Sequence, residues 1–210
     1  MKNKINLLQI TNLVVLFFCI NFANAQNLDI DVLRNINHNR NKSLDPALKG
    51  ITNSLAPVSI GTPIIMYSVG LIMKDSTVKK KAIFIGEAFL ASGFITFALK
   101  KTVNRERPFV TYPDIEQVTT ATGPSFPSGH ASLAFATATS LSMAYPKWYI
   151  IAPSFAWARA VSYSRMVLGV HYPSDVLAGA IIGSGSAYLS YKLNKWVNKK
   201  QRKKIPQLWE

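Results

Sequence analysis

The chain has one cysteine in 210 residues, three histidines, and ten acidic residues against 24 lysines and arginines. A single cysteine, Cys19, inside an apolar run near the N-terminus, excludes an internal disulfide framework and a thiolate metal cluster. Its neighbours are not the small residues a lipid acceptor would want, so it reads as a buried apolar residue. The shortage of acidic side chains leaves a net charge of +14. Such a balance suits nucleic acid or an anionic membrane surface. Charged residues make up only 16% of the chain and hydrophobic ones 49%, and the cations come in tight groups between apolar stretches. Those groups are Lys79–Lys81, Lys100–Lys101 with Arg105 and Arg107, and Lys199–Lys200 with Arg202–Lys204. They lack interleaved stacking aromatics, which argues against nucleic acid and for a membrane topology.

Residues 1–25 read as a secretory signal, or as a first transmembrane helix if uncleaved. Lys2 and Lys4 precede the apolar Leu13–Ile20, and Ala23-Asn24-Ala25 fits a small-x-small cleavage site. Residues 26–210 are expected to form one domain. Residues 26–50 are polar and Asn-rich, an interfacial helix or loop in which His38 is a surface residue without an acidic partner. Five helix-length apolar segments follow: Leu55–Met73, Ala82–Leu99, Ala131–Tyr145, Trp148–Tyr163 and Val176–Leu193. A bilayer core needs roughly 20 apolar residues per span, and two of these segments reach that length only by extending into their flanks. The predicted fold is an all-α transmembrane bundle of five spans, or six with an uncleaved N-terminus. Lys74–Lys81 reads as a basic connector. Gly179 and Gly183 form a small-xxx-small pair for ordinary helix packing. Glu87 and Arg159 lie within spans, where they either meet inside the bundle or snorkel from an end.

Alternation from a cytoplasmic start puts the lysines at 79–81 and 199–204 inside, as positive-inside bias requires. Residues 100–127 and 164–175 then share the outer face, where three chemically suggestive stretches meet. Lys100 to Pro108 reads K-K-T-V-N-R-E-R-P; Lys100 offers a point charge and Arg107 a planar fork for phosphate oxygens. Pro127-Ser128-Gly129-His130 opens an apolar helix, whose first N–H groups bind anions. Gly129 allows close backbone approach, and His130 is free to protonate a leaving oxygen. Ser164 to Asp175 reads S-R-M-V-L-G-V-H-Y-P-S-D. In it Arg165 is a second fork, His171 a nucleophile or general base, and Asp175 a carboxylate four residues on, within reach of the imidazole. Taken singly, each stretch also fits interfacial anchoring or helix capping. All three, in order and on one face, point to a phosphate site.

These motifs resemble the signature of the type 2 phosphatidic acid phosphatase superfamily (PAP2), which includes bacterial acid phosphatases and vanadium haloperoxidases. That signature is K-x6-RP, PSGH and SR-x5-H-x3-D, matched here at Lys100, Arg107 and Pro108, at 127–130, and at Ser164, Arg165, His171 and Asp175. The resemblance covers about residues 50–195. It implies an α-helical bundle that hydrolyses phosphomonoesters or pyrophosphates with no metal or other cofactor. It implies that His171 is the nucleophile forming a phosphohistidine and that Asp175 orients it. His130 would be the general acid, and Lys100, Arg107, Ser128, Gly129 and Arg165 would hold the phosphoryl oxygens. The expected protein is a bacterial inner-membrane lipid phosphatase with its site facing the periplasm. Its substrate would be undecaprenyl pyrophosphate, lipid A phosphate, phosphatidylglycerol phosphate or phosphatidic acid, with no nucleic-acid partner and no stated oligomeric state. A soluble secreted acid phosphatase is the main rival, since mean hydropathy is only +0.14. A vanadate-dependent haloperoxidase and a non-catalytic membrane protein are the others.

Overall fold

A computed structural model describes residues 27–204; the leader expected at 1–25 lies outside them. Among the described residues the chain is helical, with no strand. Helix α1 covers 27–38. After a short 3-10 turn come α2 (Asp45–Asn53), α3 (Leu55–Ile72), α4 (Ser76–Val103), α5 (Pro108–Thr111), α6 (Gly129–Ala144), α7 (Trp148–Val167) and α8 (Pro173–Lys204).

Local chemistry explains where these helices start and stop. Pro46 sits in the first turn of α2, where a missing N–H costs nothing. Asp75 caps α4, accepting from the backbone N–H of Thr77 at 2.7 Å and of Val78 at 3.2 Å. That cap starts the helix earlier than the lysine run suggests. The basic connector expected at Lys74–Lys81 shrinks to Met73–Asp75, and Lys79–Lys81 lie in the opening turns of α4. Asn104 ends α4 in the left-handed region (φ 46°), its N–H bonded to the Lys100 carbonyl. At the other end of the chain α8 continues past Leu193 to Lys204.

Helix α6 is the axis of the bundle, packing against α3, α4, α7 and α8. Its small residues make this possible: Ala131, Ser132, Ala134, Ala136, Thr137, Ala138, Ser140 and Ala144 are all buried. The Gly179/Gly183 pair brings the α8 backbone against it. A Cβ at residue 179 would stand 2.6 Å from the Ser128 carbonyl oxygen, and one at 183 would overlap that of Ser132. Two buried hydroxyls of α6 are satisfied across helices: Ser132 Oγ lies 2.6 Å from Ser92 Oγ and accepts from Thr96 at 2.8 Å, and Thr137 donates to Ser59 at 3.0 Å.

Outward faces carry the large apolar side chains, among them Ile65, Ile72, Leu90, Phe94, Ile181 and Leu193. Apolar exposure on this scale marks a surface that meets something other than water. Among the described residues two stretches, Lys42–Ile72 and Ser76–Thr111, are long and apolar enough to cross a membrane. Helix α6, with only 16 residues, fills the centre with small and hydroxylated side chains, so its composition reflects helix packing. Glu87 and Arg159 do not meet. Both are exposed, and Glu87 accepts a hydrogen bond from Asn194 Nδ2 at 2.5 Å.

Candidate active site

Helix direction decides which connections share an end. Helices α4 and α7 finish, and α6 and α8 begin, at the same end of the bundle, so the segments 104–128 and 168–172 lie together there. Helix α1 folds over this end. Its Ile30 and Leu33 pack with Ile115 and Tyr172. Asn37 ties α1 down, donating to the carbonyls of Val167 (2.9 Å) and Glu116 (3.1 Å) and accepting from the Glu116 N–H (2.9 Å). Gly169 has a φ of +74°, and a Cβ there would run into the Glu116 carbonyl, so both conformation and space require glycine. Glu116 also pairs with Arg40 at 2.7 Å and Lys42 at 2.8 Å, and these hydrogen bonds pull its pKa down to about 2. His38, expected to stand alone, lies 2.9 Å from the Asp114 carbonyl oxygen and 3.6 Å from its carboxylate.

His171 lies in the five-residue connection 168–172 between α7 and α8 and is almost wholly buried. Asp175, in the first turn of α8, is fully buried. Its Oδ2 stands 3.3 Å from His171 Nδ1 and accepts from the Tyr172 N–H at 2.9 Å and from the Ser125 hydroxyl. A proton on Nδ1 facing this carboxylate leaves the Nε2 lone pair free. Nε2 points to Arg107, whose Nη1 is 3.4 Å away. Burial is the largest influence on the His171 imidazole and pushes its pKa down to about 4; Asp175 opposes that shift, and Arg107 and Arg165 reinforce it. The ring is therefore neutral at ordinary pH, the form able to attack an electrophile.

Cations surround this ring. Arg165, at the end of α7, is 4% exposed and donates from Nη1 to Thr52 Oγ1 at 2.9 Å. Its Nε is buried with no partner, a donor that a ligand oxygen could satisfy. Arg107 donates to the carbonyls of Thr122 (2.8 Å), Gly123 (2.9 Å) and Val170 (2.9 Å). Expected from sequence to be a fork for phosphate oxygens, it also spends donors on backbone and so pins 104–128 over the site. Lys100 does similar work, donating to Pro124 O at 2.6 Å and Ser125 O at 3.3 Å.

Ser128 caps α6: its hydroxyl accepts from the Ala131 N–H at 3.4 Å, and its own N–H donates to the Asp175 carbonyl at 3.0 Å. Gly129 has ordinary room for a methyl group, 3.9 Å from Thr96, so packing does not demand glycine there. What a side chain would obstruct is approach to the free N–H groups of the first turn, where the helix dipole favours an anion. His130 lies within the electrostatic reach of Arg165, His171, Arg107 and Lys100.

All eight residues singled out from sequence thus belong to one end of the bundle. Sequence reasoning missed Ser125, Thr52, Arg105 and Asp29. Arg105 could have been suspected as a further cation beside Arg107. Ser125, two residues before the Pro127 motif, carries no distinguishing pattern. Thr52 and Asp29 come from the polar N-terminal part and reach the site only through the fold.

Residues 81–199 match the PAP2 superfamily. Over 69 residues the chain is 44% identical to an undecaprenyl-diphosphatase of Sulfolobus acidocaldarius, covering 33% of each protein. It is 38% identical over 88 residues to a lipid A 4'-phosphatase of Bacteroides thetaiotaomicron, covering 42% of this chain and 39% of that one. The alignments thus span about two fifths or less of these relatives' length. The fold is that of the first transmembrane PAP2-type phosphatidylglycerolphosphate phosphatase from Bacillus subtilis, with a TM-score of 0.70 at 22% identity, over 89% of this chain and 96% of that one.

Proposed function

Because the chain belongs to the PAP2 superfamily, we propose that it is a membrane-embedded phosphatase acting on a lipid phosphate or pyrophosphate through a phosphohistidine. The observation that carries this reading is the His171–Asp175 pair. A neutral imidazole, backed at Nδ1 by a buried carboxylate, turns Nε2 toward a cluster of guanidiniums. Nε2 attacks phosphorus, a P–N bond forms, and the bond to the leaving oxygen breaks. His130 delivers a proton to that oxygen, then takes one from the water that cleaves the P–N bond and restores His171. Arg165, Lys100, Arg107 and the first N–H groups of α6, beside Ser128 and Gly129, stabilise charge on the phosphoryl oxygens. Asp175 holds the Nδ1 proton and offsets the positive charge left on the ring.

The substrate belongs to the class of undecaprenyl pyrophosphate, lipid A phosphate, phosphatidylglycerol phosphate and phosphatidic acid. Two of the relatives are named for members of that class. The site end faces the periplasm from the bacterial inner membrane, because Lys79–Lys81 at the start of α4 and the basic stretch 199–204 that ends α8 then stay cytoplasmic. Residues 26–210 act as one catalytic domain, behind a signal peptide or first helix at 1–25. The exposed apolar surface favours this over a soluble acid phosphatase. The test is phosphate release by detergent-purified protein, with EDTA present, from a panel of these lipids and one soluble ester. Release from one lipid class, lost in His171→Ala, supports the reading; release from the soluble ester alone refutes the lipid assignment.

A further inference from the structure

The Asp175 carboxylate is held on both oxygens, and the second anchor lies outside the three motifs. While Oδ2 serves His171, Oδ1 accepts from Arg105 Nη1 at 2.9 Å. Arg105 is itself fixed on three sides. Its Nη2 donates to Asp29 Oδ2 at 2.8 Å, its Nη1 also donates to Ser174 Oγ at 2.7 Å, and its guanidinium stacks 3.7 Å from the Tyr172 ring centroid. Asp29, on α1 and 8% exposed, accepts from the Ser174 N–H at 2.8 Å and the Ser174 hydroxyl at 2.5 Å. A carboxylate from α1 thus caps the first turn of α8 from across the fold, where that helix has unpaired N–H groups.

We propose that Arg105 and Asp29 are positioning residues for the nucleophile: Asp29 fixes Arg105, Arg105 fixes Oδ1, and Oδ2 is thereby kept on His171 Nδ1. The terminal torsion of an aspartate is broad and roughly two-fold, so a carboxylate held by one oxygen can still turn. Anchoring both oxygens removes that freedom and holds Nε2 on the line of attack. Charge runs the same way. One guanidinium bridging two buried carboxylates gives each of them a countercharge, whereas removing it leaves both without that partner. The N-terminal helix, which carries none of the three motifs, then takes part in catalysis through Asp175. Stapling α1 to the bundle does not need this triad, since Ile30, Leu33 and Asn37 already do so.

This inference rests on the phosphohistidine reading, and one experiment separates the two. Full-length protein in detergent would be assayed on phosphatidic acid, undecaprenyl pyrophosphate, phosphatidylglycerol phosphate and lipid A phosphate as wild type, H171A, D175N, R105Q, R105K, D29N and R105Q/D175N. Melting temperatures would confirm that each variant is folded. Loss of an outer partner that orients a reacting group costs about 10–100-fold, and that is the expected fall in kcat for R105Q, with KM nearly unchanged. D29N should lose less, and R105K should recover part of the loss. The double variant should be no slower than D175N alone, because both act through one carboxylate. Additive losses, a change confined to KM, or full activity in R105Q would overturn the positioning role while leaving the phosphatase reading intact. A wild type inactive on all four lipids, or an active H171A, would overturn the mechanism and this inference with it. If R105Q does not fold, D29N and D29N/D175N decide the matter by the same criterion.

Discussion

The two ends of the bundle are both basic, and they treat their cations in opposite ways. At the far end α3 joins α4 through Met73–Asp75, and α6 joins α7 through Tyr145–Lys147. Lys74, Lys80 and Lys147 are exposed there, and Lys81 lies 3.9 Å over the Tyr145 ring. At the near end the connection from α4 to α6 runs through residues 104–128, and Arg107 and Arg165 are 7% and 4% exposed. Withdrawing a guanidinium from water is costly unless hydrogen bonds and countercharge replace the solvent. For these two arginines the near end supplies backbone carbonyls and the Thr52 hydroxyl, and still leaves one Arg165 N–H unpaired. The far-end lysines stay in contact with solvent, while the near end holds buried guanidiniums with a donor to spare.

The largest way to break this contrast is His171→Ala, which should lower phosphate release by about 10⁴-fold or more, the scale set by removing a member of a catalytic triad. Arg165→Met should follow, costing about 10²–10³-fold in kcat as a donor to the transition state is lost. Gly183→Ala sharpens the comparison from the side of packing. Its Cβ would meet the Ser132 carbonyl, and overpacking of this kind costs about 1–3 kcal/mol, read as a lower melting temperature in detergent. On pH the sign is fixed by the depressed pKa of His171. The neutral nucleophile persists as pH falls below the ordinary histidine range, and kcat/KM, corrected for substrate ionisation, should collapse only as pH passes through about 4. The smallest effect belongs to the far end: Lys80→Gln and Lys147→Gln should leave turnover within about twofold, as exposed surface substitutions do.

The motif residues were legible because their chemistry is written in order along the chain, and helix alternation already put them on one face. Helix-length apolar runs likewise located α3, α4, α6, α7 and α8, with boundaries shifted where a cap such as Asp75 decided them. What could not be read was the second layer. Arg107 looks from sequence like a ligand-binding fork, and only the packed structure shows it holding the carbonyls of Thr122, Gly123 and Val170. Asp29 is separated from Ser174 by 145 positions, and no local pattern marks a residue whose role depends on a helix folding back over the site. His38 looked isolated for the same reason, its partner Asp114 being 76 positions away. Long-range polar contacts between short connections leave no periodic trace.

The most direct test of the central claim is to trap the intermediate. Turnover of a ³²P-labelled lipid phosphate would be quenched in alkali, where phosphohistidine survives, and the labelled peptide identified by mass spectrometry. The account predicts label on His171 in the wild-type protein and none in His171→Ala, which should also cease to turn over. Steady turnover with no label on His171, or label on another residue that persists in the variant, would contradict it.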